Sequence, residues 1–197
     1  MKNVLRAVAS VALLWLTSSI TLEVGPCTPA AYTVTSTTDN GTGTTPGTLS
    51  RAVAQALAAN CAGSEVNFSV PNSSTITLPK RILINGPVTI NRPGASNLTI
   101  SGGGTTRIFF VNPGSGVAVN INNLTLADGY GMGGSSYFGG AAAGMGGAIF
   151  QYTGTLNPSG VVLSGNTALG ALPVTQNGYL AECQLTKTGS HNGSYLT

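Results

Sequence analysis

The sequence predicts an all-β protein, a solenoid of short parallel strands opened by a capping strand and helix. Three observations predict it. Charged residues make up only 7% of the 197-residue chain, against about 25% in ordinary soluble domains. Glycine is abundant at 28 residues, and Thr, Ser and Asn supply most of the polar character, so strand surfaces would be neutral. Short apolar triplets then recur at one common interval: Val88 follows Val66 by 22 positions, and Leu98 follows Ile76 by the same step. A strand that short is not stable alone and must be stacked. A chain that keeps returning to the same place at a fixed interval stacks its strands in parallel.

The length suffices for one domain with a real core. The recurring Val, Ile, Leu and Phe argue against disorder. A net charge of +3 is too small to argue for nucleic acid or an anionic membrane surface as partner.

The first element reads as an export signal. Lys2 and Arg6 precede "AVASVALLWL" (7–16), a short apolar run. The run is too short for a good membrane span, so no span is expected in the mature chain. Small residues at cleavage offsets occur in "TSS" (17–19) and in "TPA" (28–30). Cleavage after Ala30 would remove Lys2, Arg6 and Glu23 and leave a charge of +2. Pro26 stands before Cys27 where a lipoprotein signal places a small residue, which argues against lipidation. Cys27, Cys61 and Cys183 lack metal-ligand spacing. An exported chain can oxidise them, and a Cys27–Cys61 bridge requires cleavage before Cys27; buried free thiols fit equally well.

"YTVTST" (32–37) alternates as a strand does, and "TDNGTGTTPG" (38–47) is turn-rich. In "TLSRAVAQALAAN", Thr48 can cap, and Leu49, Ala52, Val53, Ala56 and Leu57 share a helical face. Asn60 and Gly63 supply the stop. Triplets follow: "VNF" at Val66, "ITL" at Ile76, "VTI" at Val88, "LTI" at Leu98, "IFF" at Ile108, "LTL" at Leu124, "AIF" at Ala148 and "VVL" at Val161. The step from Leu98 to Leu124 is slightly longer than the common interval, and that from Leu124 to Val161 is much longer. A large excess therefore falls at 129–147. Organisation follows: a signal at 1–30, a cap at 31–63, stacked strands at 64–169 with a glycine-rich insertion at 129–147, and an irregular tail at 170–197.

The tail lacks the triplets and a clear amphipathic helix. Further strands and an anchor are therefore expected beyond it, or a shifted frame, together with association through the last strand.

The stretch "YTVTSTTDNGTGTTPGTLSRAVAQALAAN" resembles the N-terminal cap of exported bacterial right-handed β-helix proteins, of the pectin-lyase-like kind. Gly47, Thr48, Leu49, Ala52 and Val53 carry the match; Ser50 stands where the family Arg usually does. "GGAI" (146–149) and "LSGN" (163–166) resemble the repeat pair of polymorphic outer-membrane adhesins, with Leu163 in place of Phe. The resemblance covers roughly 32–168. It implies a right-handed parallel β-helix and a secreted or cell-surface scaffold for autotransporter-like adhesion, facing surface glycans or host and neighbouring-cell proteins. Relatives of the same fold that cut acidic polysaccharides make a truncated lyase or hydrolase the alternative, and a structural stalk is a third.

Candidate chemistry is sparse. Gly129, Gly131 and Gly134 match G-x-G-x-x-G, but no helix-forming run follows and no acid lies between Asp128 and Glu182, so no nucleotide is expected. A lyase needs clustered carboxylates and a base, and a hydrolase a carboxylate pair. Asp39, Glu65, Asp128 and Glu182 are not spaced to meet on one face. Hence no catalytic, cofactor or metal residue is assigned. Lys80, Arg81 and Arg92 read as turn charges that face solvent or an anionic sugar. Asn97 and Asn123 read as bend residues that tolerate unusual φ and stack as a ladder.

Overall fold

The computed structural model describes residues 27–92, 98–134 and 142–170. Residues 1–26 and 171–197, the latter with Glu182, Cys183 and His191, lie outside the described residues, as do 93–97 with Asn97 and 135–141 of the glycine-rich stretch. The described residues form fourteen short strands and one helix.

Strand β1 (Ala31–Val34) leads into helix α1 (Leu49–Ala59). Thr48 caps α1 from an extended backbone, its hydroxyl accepting the Arg51 N–H. Asp39 adds a second cap. Its Oδ2 accepts the Ser50 N–H at 2.7 Å, and its Oδ1 accepts the Ser50 hydroxyl and the Gly41 N–H, each at 2.7 Å. A carboxylate here also meets the positive end of the helix dipole. Asn60 closes the helix in the left-handed region at φ 44°. Leu49, Ala52, Val53 and Ala56 are buried, as the helical period requires.

The remaining strands fall into parallel sheets that the chain visits in rotation. β2 (Glu65–Phe68), β5 (Val88–Asn91), β8 (Ala118–Asn122) and β12 (Thr155–Ser159) extend β1 into one sheet. β3 (Thr75–Thr77), β6 (Thr99–Ser101), β9 (Thr125–Ala127) and β13 (Val162–Ser164) form the second. β4 (Ile82–Ile84), β7 (Phe109–Val111) and β11 (Ile149–Gln151) form the third. β10 (Tyr130–Met132) pairs with β14 (Thr167–Leu169). Every strand pair among the described residues is parallel, as the short triplets returning at a fixed interval led one to expect.

The first return differs from the expected one. Val66 aligns with Ile90 and Ile76 with Ile100. The triplets suggested Val88 and Leu98 as partners, so each strand returns two positions later than read. The reason is parity. Strand side chains alternate with period two, so a slip by two keeps every inward residue inward and leaves the apolar pattern unchanged. Val66, Ile76, Val88, Leu98 and Leu124 are all buried. Later spacings hold as read: Thr99 aligns with Thr125, and Thr125 with Val162.

The core is one dry cluster in which Ile76, Ile100 and Leu126 form a column, as do Ile90 and Ile121. Bends between sheets use left-handed backbone: Ser73 (φ 58°), Asn123 (φ 57°) and Asp128 (φ 50°). One layer on from the latter two stand Gly160 (φ 62°) and Gly165 (φ 62°), so the same corner recurs. These are the residue types that tolerate it. Leu163 aligns with the buried Leu126 but is 63% exposed, because β13 is the edge strand of its sheet among the described residues.

Cys27 and Cys61 form a disulfide with Cα atoms 5.4 Å apart. It joins the segment before β1 to the end of α1. A bridge closing a loop of this size stabilises a fold by about 3–4 kcal/mol through the unfolded chain.

Two outcomes follow for stability. Leu98→Asp places an unpaired carboxylate in the dry cluster and costs several kcal/mol, so the variant is expected to lose its β signal in circular dichroism. Asp39→Ala removes one cap and takes the acceptor from the Ser50 and Gly41 donors. Its urea midpoint is expected to fall by the equivalent of about 1–2 kcal/mol.

Candidate functional site

The outer face of β4, β7 and β11 carries the most distinctive side chains. Register places Leu83, Phe110 and Phe150 in one outward column. Adjacent parallel strands lie about 4.8 Å apart, so the column is continuous, and the two phenyl centroids are 5.4 Å apart at 48°. Leu83 is exposed and the two rings are half-buried. The Arg81 guanidinium lies 5.8 Å from the Phe110 centroid, and that of Arg107 lies 5.1 Å from the Phe150 centroid. Both are cation–π contacts.

Arg107 is held in place. Its Nε donates to the Gly146 carbonyl at 2.7 Å and its Nη2 to that of Met145. Burial first, and the neighbouring Arg81 charge second, lower its proton affinity below the usual arginine range. Like charges stand together here, and no ion pair to either is found among the described residues. An open groove of about 430 Å³ continues from Arg81 and Leu83 to the helix, where Val53, Leu57 and Lys80 line it.

The candidates from sequence are distributed otherwise. Lys80 and Arg81 do lie on this face. Arg92 does not: it is 5% exposed, and its guanidinium donates to the Phe68 and Val70 carbonyls and to Asn72 Oδ1. It ties two layers together and is not a solvated turn charge. The cause lies in register, since β5 ends against β2 and points residue 92 back over the bend. Asp39 caps α1, Glu65 accepts from Asn67 Nδ2 at 3.3 Å, and Asp128 accepts from the Ser101 hydroxyl at 3.4 Å. No three His, Cys, Asp or Glu side chains gather as metal ligands among the described residues.

Asn97, the expected ladder partner of Asn123, lies outside the described residues, and an asparagine ladder is found on other strands. Asn157 Nδ2 donates to Asn120 Oδ1, and Asn120 Nδ2 to Thr89 Oγ1, both at 3.0 Å, on the outer face of β5, β8 and β12. Asn123 occupies a bend as read. Asn166 of "LSGN" binds two layers: its Nδ2 donates to the Leu126 carbonyl at 2.8 Å and its Oδ1 accepts the Gly129 N–H at 2.7 Å.

The glycine-rich stretch begins inside the sheet architecture, because Gly131 lies in β10. Several of its described glycines serve close packing. A Cβ at Gly147 would lie 2.5 Å from the Thr167 carbonyl oxygen, and one at Gly144 would overlap the Leu169 backbone. A Cβ on Gly129 would overlap the Gly147 carbonyl oxygen and one on Gly131 would lie 2.8 Å from that of Met145, so both glycines also allow close strand approach.

Family models, curated proteins and solved structures were compared with the chain, and none matches. The aromatic column escaped the sequence reading. Its signal was the doubled Phe in "IFF": one phenyl of an adjacent pair must face outward in a strand.

Arg92→Met keeps the aliphatic stem and removes the donors, leaving the Phe68 and Val70 carbonyls unpaired. Each orphaned group costs about 1–3 kcal/mol, so the thermal midpoint is expected to drop by several degrees in a melting curve. Arg107→Met, whose partners sit at the surface, is expected to lower it less.

Proposed function

We propose that the chain is a non-catalytic scaffold of an exported protein, secreted or held at the cell surface. It is built as a right-handed parallel β-helix and binds surface glycans or neighbouring-cell proteins through the β4–β7–β11 face. The rotation of the chain through parallel sheets at matched register supports the β-helix. The cap resemblance and the oxidised Cys27–Cys61 pair support export.

One observation carries the binding role: the Leu83–Phe110–Phe150 column with Arg81 and Arg107 over its rings. Aromatic and arginine side chains are concentrated at the energetic centres of contact surfaces. A phenyl ring left half-exposed offers a flat apolar platform to a sugar ring or an apolar side chain. The guanidinium beside it supplies donors that fix the orientation of a hydroxyl or carboxylate. The three described carboxylates, by contrast, are engaged in helix capping and local hydrogen bonds.

Binding of the purified chain to a glycan array and to intact cells tests this reading. Phe110→Ala with Phe150→Ala is expected to weaken binding by about tenfold or more, with circular dichroism unchanged. Equal binding by the double variant would remove this face from the contact. Release of unsaturated or reducing ends from a bound polysaccharide would contradict a non-catalytic role.

A further inference from the structure

The residues just before β1 are built into the cap. Cys27 is bridged to Cys61 at the end of α1. A Cβ placed on Gly63 would be 3.4 Å from Pro29 Cγ, so the proline ring lies against that turn. The Ala30 carbonyl accepts the Glu65 N–H at 2.9 Å, and this bond starts the β1–β2 ladder that Ala31 and Glu65 continue.

These contacts decide between the two stretches of small residues that can serve a signal peptidase. Cleavage after Ala30 would remove Cys27, Pro29 and the Ala30 carbonyl together. Cys61, 1% exposed, would keep a buried unpaired thiol, and the Glu65 N–H would lose its acceptor. Cleavage after Ser19, in "TSS", keeps every one of these contacts. We infer that the signal segment is removed after Ser19, so that the mature chain begins at Ile20 and carries Cys27 as half of a cap-closing disulfide.

The inference rests on the export reading and adds the processing site and its chemical consequence. Two thiols become one disulfide, releasing two protons and two electrons. The electrons pass to a protein disulfide of the oxidising compartment, which is reduced to a dithiol. The Cys27 sulfur is then committed to Cys61 and is not available to carry a lipid thioether. The disulfide closes only after translocation, since the reducing cytosol keeps both thiols reduced.

The test uses the whole 197-residue chain, expressed with a C-terminal tag in an export-competent bacterium. N-terminal sequencing, intact mass and thiol alkylation before and after reduction are read on the exported product. The expected result is Ile20 at the N-terminus and two additional alkylated thiols after reduction, mapping to Cys27 and Cys61. Ser19→Gln is expected to block processing, because the peptidase needs a small residue before the cut, whereas Ala30→Gln leaves it intact. An N-terminus at Ala31, a diacylglyceryl mass on Cys27, or both thiols free in the folded exported chain would overturn the inference and leave export standing. A chain that keeps Met1 and stays in the cytosol would overturn the export reading itself, and the processing site with it.

Discussion

A very short strand buries one or two side chains and leaves its backbone groups on both edges without partners. The fold therefore depends on one constraint, that each short strand find a parallel neighbour in register above or below it. Ile76, Ile100 and Leu126 show how the constraint is met. Each contributes one inward side chain, and together they form a dry column that none of the strands could form alone. Each outward position then repeats as well. The asparagine ladder at Asn120 and Asn157 and the aromatic column at Phe110 and Phe150 both follow from that stacking. An outer face assembled this way is made of residues far apart in the chain, as Leu83, Phe110 and Phe150 are.

The same constraint creates a problem at the first strand, where an open edge invites pairing with another chain. Helix α1 covers that end, and it carries more fastening than its length suggests. Thr48 and Asp39 hold its N-terminus, Asn60 ends it, and the Cys27–Cys61 bridge fixes its far end to the entering chain. Local capping and a covalent tie act on the same short helix. Such helices are marginal in isolation and gain their stability from packing; here Leu49, Val53 and Ala56 supply it.

Much of the architecture was legible in the residues. The helix with Thr48 and Asn60 at its ends, the inward triplets, and the two later, longer returns all follow from local chemistry and period. The first return was not legible, because Val88 and Ile90 are both inward and apolar and a slip by two changes no pattern. Arg92 was misread because a charged residue next to proline reads as a solvated turn, whereas its environment is decided by the distant carbonyls of Phe68 and Val70. The doubled Phe of "IFF" signals one outward ring, but the aromatic face as a whole was missed for a related reason. It exists only across strands, and the spacings of β4, β7 and β11 differ from those of the other sheets.

Register is thus the claim on which the core, the corners and the outer faces all depend. Paired cysteines measure it directly, in a background with Cys183→Ser to remove the remaining thiol. Asn67 and Asn91 are aligned neighbours on β2 and β5, and neighbouring strands place such Cα atoms about 4.8 Å apart, within disulfide range. Asn67→Cys with Asn91→Cys should oxidise readily to a bridge that non-reducing peptide mapping recovers. Asn67→Cys with Thr89→Cys, the pair that the Val66-to-Val88 interval would align, should stay reduced under the same conditions. The opposite outcome, a bridge at 67–89 and free thiols at 67–91, would contradict the stacking on which this account stands.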